Sequence, residues 1–246
     1  MRFRSARQRT PTMSLIIPAY NEEKYIAPCL THAARTEHAF LEILVVDNAS
    51  TDRTRVIAEK FPGVRVVRED RRGVMHARQR GFREARGDIL AFIDADTRMP
   101  RGWSVRVRRA FLHDPKLACI SGPYVYHDLP RWRQCSVQLF WMIPAKFAYL
   151  ATRYMVVGGN FAIRREVLER MKGFDTSIDF YGDDTDIARR AHAWGKVKFD
   201  SGLVMRTSGR RLAKQGSLKT GVTYIVNFCS EVLLHRPVTK KHVDVR

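Results

Sequence analysis

The chain has 246 residues, with 44 Lys and Arg against 25 Asp and Glu, a formal net charge of +19. A hydrophobic content of 45% at this length supports a sizeable core, which excludes wholesale disorder and fits one large α/β domain or two small ones. Cys29, Cys119, Cys135 and Cys229 lie far apart with no CxxC pair, so neither a disulfide scaffold nor a zinc knuckle is expected, and a reduced cytoplasmic setting is.

Met13–Pro18 is an apolar run of strand length, and Glu22–Arg35 reads as the helix after it. Glu42–Asp47 is a second strand, followed by a helix from about Asp52 to Lys60. Val64–Arg68 and Asp88–Asp94 are the third and fourth strands, with a helix over Gly73–Arg86 between them. Strands alternating with helices imply βαβ units and a mostly parallel sheet. Further on, Trp103–Leu112 predicts a helix, Leu117–Tyr126 one extended segment, and Arg131–Thr152 a helix broken near Pro144. Gly158–Gly159 introduces a short strand and then a helix from Arg164; Asp183–Trp194 and Gly216–Leu234 predict two more helices. No repeat or linker divides the chain, so one integrated domain over 1–246 is expected. Val137–Val157, interrupted by Pro144, Lys146 and Arg153, falls short of a membrane span, and no secretory h-region follows the arginines of the first ten residues.

Ligands of open parallel sheets bind at the carboxyl ends of the strands. Three polar clusters fall there: Pro18-Ala19-Tyr20-Asn21, Asp47-Asn48-Ala49-Ser50 and Asp94-Ala95-Asp96-Thr97. The first strand is not followed by GxGxxG, and no Walker A sequence occurs, so neither a dinucleotide site of that kind nor a P-loop is expected. Asp94 and Asp96 could instead hold Mg²⁺ or Mn²⁺, hard cations that accept carboxylate and phosphate oxygens together. A turn or helix cap is the other use of such aspartates. Asp183, Asp184 and Asp186 form a second cluster at a helix start. There capping accounts for two carboxylates more easily than for three, and a cation or a proton-transfer role would offset their repulsion. Polymerases also pair aspartates at strand ends, so the cluster alone leaves the chemistry open.

Together these segments resemble the family 2 glycosyltransferases of the GT-A fold. The match runs in the family's order through SLIIPAYNEEKYI (14–26), EILVVDNASTD (42–52), ARQRGFREARGDILAFIDADT (77–97), GGNFAIRREVLERMKGFD (158–175) and GDDTDIARR (182–190). The resemblance implies a Rossmann-like central sheet with a nucleotide-sugar-binding half over about 13–115 and an acceptor-binding half over about 116–246. It implies an inverting, metal-dependent transfer from a UDP-, dTDP- or GDP-sugar to an acceptor hydroxyl on a glycan or lipid-linked molecule. Asp94 and Asp96 match the DxD motif, with Asp96 the more direct ligand of Mg²⁺ or Mn²⁺. Pro18, Ala19, Tyr20 and Glu22 match the loop beneath base and ribose, with Asp47 and Asn48 at the base-recognition strand end and Ala95 between the two DxD aspartates. Asp184 matches the catalytic base, with Asp183 as the base if the register slips by one. Gly158, Gly159 and Asn160 match the acceptor side, and Arg78 matches a family arginine. Asn48 stands where the family often has Asp, which leaves the nucleotide open, and Asp183 stands where it often has Glu, one methylene longer, which leaves its contact with sugar or acceptor open. Arg210 and Arg211 are expected in a loop closing on the diphosphate, whereas His192 is expected to be structural.

The charge excess implies a polyanionic partner: nucleic acid, an anionic membrane surface or a phosphorylated small molecule. Arg98, Arg101, Arg106, Arg108 and Arg109 crowd one stretch, and Val204–Arg246 carries nine basic residues against Glu231 and Asp244. No nucleic-acid module is recognisable. The aromatic segment Leu139–Met155 suits an interfacial helix on the inner face of the cell membrane, or a core or dimer-interface helix. A non-catalytic nucleotide-sugar-binding or membrane-surface scaffold is the alternative to an enzyme.

Overall fold

The computed structural model describes residues 10–35, 40–178, 182–234 and 238–239. Its centre is a seven-stranded sheet in the order β3-β2-β1-β4-β7-β5-β8. The strands are β1 (Met13–Ala19), β2 (Glu42–Asp47), β3 (Val64–Arg68), β4 (Ile89–Ile93), β5 (Leu117–Ser121), β7 (Asn160–Arg164) and β8 (Lys196–Phe199). All neighbours are parallel except β7, which runs antiparallel to both β4 and β5. The expected four parallel strands are thus present, and the sheet continues through strands of the second half.

β1, β4 and β5 are apolar apart from the buried Ser14 and Ser121, because both of their faces are covered. Leu15, Ile17, Ile89 and Ala91 face a layer containing α1 (Ile26–Ala34) and α4 (Trp103–His113), through Leu30, Trp103 and Phe111. Ile16, Leu90 and Phe92 face α3 (Val74–Glu84), α7 (Arg165–Arg170) and α8 (Asp183–His192), through Met75, Leu168 and Ile187. Phe92 stacks on Phe161 of β7, with ring centroids 4.9 Å apart. α2 (Thr54–Glu59) connects β2 to β3.

The helix expected from Glu22 begins only at Ile26, after a turn in which the Tyr25 and Ile26 amides donate to the Glu22 carbonyl. The extended segment 117–126 is two strands. β5 belongs to the main sheet, while β6 (Tyr124–Tyr126) pairs in parallel with β9 (Met205–Thr207) in a separate two-stranded sheet. At the expected break near Pro144, α5 (Arg131–Met142) gives way to α6 (Pro144–Thr152), which proline opens from its first position. The segment 210–215, expected as a loop, is the short helix α9 (Arg210–Gln215), and α10 (Ser217–Leu234) follows it. Trp141 stacks on Phe199 at 5.7 Å and the Tyr149 hydroxyl donates to the Val197 carbonyl, so α5 and α6 cover β8 with one face. Trp132, Leu139, Ile143, Phe147 and Leu150 stay exposed on the other. No helix among the described residues is long and apolar enough to cross a membrane.

Gly81 lets α3 lie close against β1, since a Cβ there would collide with Ile16 Cγ2 and press Val46 Cγ2 at 3.3 Å. Gly81→Ala gains about 1 kcal/mol of helix propensity but costs about 1–3 kcal/mol by overpacking. The net effect is expected to be a loss of stability, read as a melting temperature lower by a few degrees.

Candidate active site

The register β1–β2 pairs Ala19 with Asp47, and β1–β4 pairs Ile16 with Phe92, so the loops after β1, β2 and β4 emerge along one rim. There they border a cleft of about 450 Å³ lined by Pro18, Ala19, Tyr20, Glu22, Asn48, Asp94, Ala95 and Asp96. Gly158, Gly159, Arg78, Asp183, Asp184 and Arg210 complete the set of expected residues that border it. The first two loops are latched together: the Asn21 amide donates to Ser50 Oγ at 3.0 Å, and Asn21 Oδ1 accepts from the Thr51 amide at 2.8 Å.

Two of the expected residues are occupied differently. Asn48 borders the cleft, but its Nδ2 donates to the Glu69 and Arg71 carbonyls and its Oδ1 accepts from the Gly73 amide, so this side chain anchors the β3–α3 loop. Asn160 is fully buried: its Oδ1 accepts from Trp103 Nε1 at 2.8 Å and its Nδ2 donates to the Pro123 and Leu203 carbonyls. It holds the floor of the site together. Asp47 is buried at the strand end, with Oδ1 3.3 Å from the Ser50 amide.

The acidic rim is crowded. Asp94 Oδ2 accepts from the Tyr124 hydroxyl at 3.0 Å, and Asp96 Oδ1 accepts from Thr207 Oγ1 at 3.1 Å. Arg210, at the start of α9, reaches back to Asp96 Oδ2 at 3.1 Å, bonds to Glu22 Oε1, and lies over the Tyr25 ring at 4.6 Å. Burial pushes the Asp96 carboxyl up to about 7; Arg210 opposes that shift, while Asp94 and Glu22 add to it. Arg210 thus serves two carboxylates, Glu22 and Asp96, with Asp94 beside them.

On the opposite wall, Arg78 is buried in α3 and donates to Asp183 Oδ2 at 2.6 Å, with Asp184 Oδ1 at 3.9 Å. Asp183 carries the arginine, whereas Asp184 keeps 35% of its side chain open to the cleft. Burial and the neighbouring Asp183 charge raise Asp184 well above the ordinary carboxylate range, against the pull of Arg78 and a hydrogen bond from the Gly158 amide. Gly158 and Gly159 are needed for this closeness. A Cβ at Gly158 would collide with Asp184 Oδ1, and one at Gly159 with Asp94 Oδ2 and the Tyr124 hydroxyl. His192 is remote from this chemistry, its ring against Tyr154 at 5.6 Å.

The cleft also contains Tyr124, Tyr126, Arg72, Thr207 and Ser208, which sequence reasoning missed. Arg72 lies over the Tyr20 ring at 5.0 Å. Two tyrosines alternating on a three-residue strand after Gly122-Pro123 were the one available signal, and it names no chemistry.

The donor set fits a divalent cation. Asp94 and Asp96 offer hard oxygens in a site of surplus negative charge, as Mg²⁺ and Mn²⁺ require. Among the described residues no group of three or more His, Cys, Asp or Glu is placed to hold a metal ion.

The sequence profile of "Glycosyl transferase family 2" matches residues 14–172. The chain belongs to that family. It is 28% identical over 213 residues to the "Probable glycosyltransferase YdaM" of Bacillus subtilis (strain 168), covering 79% of this chain and 50% of that protein. It is 35% identical over 103 residues to "Glycosyltransferase AglE" of Haloferax volcanii, covering 39% of this chain and 34% of that one. The chain therefore spans half or less of these curated relatives. Among solved structures it is similar to the mannosyltransferase PcManGT from Pyrobaculum calidifontis in complex with GDP-Man and Mn²⁺. That match has a TM-score of 0.69 and 26% identity, covering 92% of this chain and 65% of that one. The Mycobacterium tuberculosis glucosyl-3-phosphoglycerate synthase shares the fold at a TM-score of 0.61 and 22% identity, over 89% and 79% of the two chains. The architecture is the GT-A fold of these glycosyltransferases.

Gly159→Ala drives a methyl group into the Asp94–Tyr124 contact. Mn²⁺ affinity, read by electron paramagnetic resonance titration, is expected to fall at least tenfold while far-UV circular dichroism stays unchanged.

Proposed function

We propose that the protein transfers a sugar from a nucleoside diphosphate sugar to an acceptor hydroxyl by single displacement with inversion. The observation that carries this reading is one cleft with a carboxylate pair, Asp94 and Asp96, on one wall and the part-open Asp184 carboxylate on the other. Tyr20, Pro18 and the Arg72 guanidinium supply a flat wall for the nucleobase, and UDP, dTDP and GDP remain the candidates. PcManGT, with GDP-Man and Mn²⁺, gives the precedent for such a donor on this fold.

Asp94 and Asp96 would hold Mn²⁺ or Mg²⁺, which when bound offsets the charge developing on the leaving diphosphate. Arg210 and Arg211 border the same space and offer guanidinium forks to phosphate oxygens. Asp183 and Arg78 form a fixed ion pair that orients Asp184. The Asp184 carboxylate takes the acceptor hydroxyl proton as that oxygen bonds to the anomeric carbon. The bond from that carbon to the diphosphate oxygen breaks on the opposite face, and the nucleoside diphosphate leaves. Because the base works deprotonated and its proton affinity is raised, transfer rises with pH through a range above that of an ordinary aspartate, about 3.9. The exposed apolar face of α5 and α6, flanked by exposed Lys146 and Arg153, supports a lipid-linked acceptor met at an anionic membrane surface.

Asp184→Asn is expected to keep Mn²⁺-dependent binding of the nucleoside diphosphate and lose transfer by roughly 10²–10⁴-fold. Asp96→Ala is expected to lose the Mn²⁺-dependent part of that binding in a thermal-shift series of UDP, dTDP and GDP. Full transfer by Asp184→Asn would remove the base from the reading.

A further inference from the structure

Outside the cleft, five basic side chains from four parts of the chain meet at the back of the Asp94–Asp96 loop. His32 and Arg35 lie one turn apart at the end of α1, Arg98 in the β4–α4 loop, Arg206 on β9 and His127 just after β6. The Arg98 amide donates to the Arg206 carbonyl at 2.7 Å in an isolated antiparallel bridge, so their side chains leave facing backbone positions. The His127 amide donates to the Thr207 carbonyl at 3.1 Å, which fixes it beside the same strand. The imidazoles of His32 and His127 hydrogen-bond to the Met99 and Asp96 carbonyls, so both rest on the loop that carries Arg98.

Arg35, Arg98 and Arg206 are exposed, and among the described residues none of the three is paired with a carboxylate. Among the described residues, Asp128 is the acid that acts on His127, and it already accepts from the Ser208 hydroxyl and the Gly209 amide, each at 2.5 Å. The like charges are felt locally. Burial and then Arg35, Arg98 and Arg206 hold His32 below its ordinary value, and burial and Arg98 do the same to His127 although Asp128 opposes. None of the five residues borders the cleft, so the donor diphosphate does not account for them.

A surface that gathers three exposed guanidiniums is complementary to a compact multivalent anion. Guanidinium forks match the spacing of phosphate oxygens, and such charge-assisted bonds are about twice as strong as neutral ones. We propose that Arg35, Arg98 and Arg206 form a second, phosphoryl-binding site separate from the donor cleft, with His32 and His127 packed beneath them as neutral spacers. Its ligand is a phosphate group, supplied either by a soluble phosphorylated molecule or by an anionic lipid headgroup.

The test is titration calorimetry with inorganic pyrophosphate in EDTA, on the whole protein. The Arg98→Ala/Arg206→Ala variant is expected to bind at least tenfold more weakly, and Arg35→Ala to lose part of the affinity. An Arg83→Ala/Arg109→Ala variant, with the same loss of charge at exposed positions elsewhere, is expected to match the parent. Equal binding by the parent and Arg98→Ala/Arg206→Ala overturns the site, as does an equal loss in the charge-matched control. Thermal melts establish that each variant is folded, and Arg35→Ala decides the matter if the double variant is not. Flotation with vesicles of phosphatidylglycerol or of phosphatidylcholine then separates the two sources. Loss of phosphatidylglycerol flotation in Arg98→Ala/Arg206→Ala identifies the headgroup. Flotation that is absent, or independent of these arginines, beside intact pyrophosphate binding identifies the soluble phosphate.

Discussion

The site depends on one electrostatic constraint: Glu22, Asp94 and Asp96 converge on a partly desolvated cleft, and like charges there raise one another's proton affinity. The chain meets this with Arg210, which bonds Glu22 and Asp96 together, and with hydroxyl donors from Tyr124 and Thr207. A similar arrangement occupies the other wall, where Arg78 offsets Asp183 and leaves Asp184 as the less engaged carboxylate. Among the described residues, five carboxylates and four arginines border the one cleft, a concentration of charge that turns and caps alone do not call for. The arrangement has a use if a divalent cation and a diphosphate enter together, because then the surplus charges on both sides are offset.

The fold serves this convergence. Parallel register brings the ends of β1, β2 and β4 to one rim, and the antiparallel β7 delivers Gly158 and Gly159 to the same place from the other half. The small β6–β9 sheet sets Tyr124 against Asp94 and Thr207 against Asp96. α9 then returns Arg210 across 188 residues of sequence to Glu22. Asn160 and Asn48 act as internal braces, each satisfying backbone groups from loops that have no ladder to join.

β1, β2 and β4 were legible because both faces of the sheet are covered there, which writes them as apolar runs such as LIIP and ILAFI. The half-buried edge strand β3 was legible from its valines. The carboxylate clusters were legible because strand ends in such sheets are where ligands bind. What was missed depends on pairing at long range. β6 and β9 have three residues each and form only because Tyr124–Tyr126 meets Met205–Thr207. The helical state of residues 210–215 carries no strong local signal, yet it sets Arg210 toward the acids. Sequence also gives an amide no address. Asn48 and Asn160 read as ligand contacts, whereas their hydrogen bonds run to loop backbones and, for Asn160, to Trp103. The charge of +19 finds part of its explanation in the cluster around Arg98 and Arg206, which no single stretch of sequence reveals.

We propose that Arg210, paired with Asp96 at 3.1 Å, is the counter-ion that a divalent cation would displace, freeing the guanidinium for the diphosphate. Mn²⁺ titration of Arg210→Gln by electron paramagnetic resonance, without nucleotide, tests it most directly. The account predicts Mn²⁺ affinity at least tenfold higher than in the parent, because a competing positive charge is gone while both aspartates remain. Affinity that is unchanged or lower would contradict it.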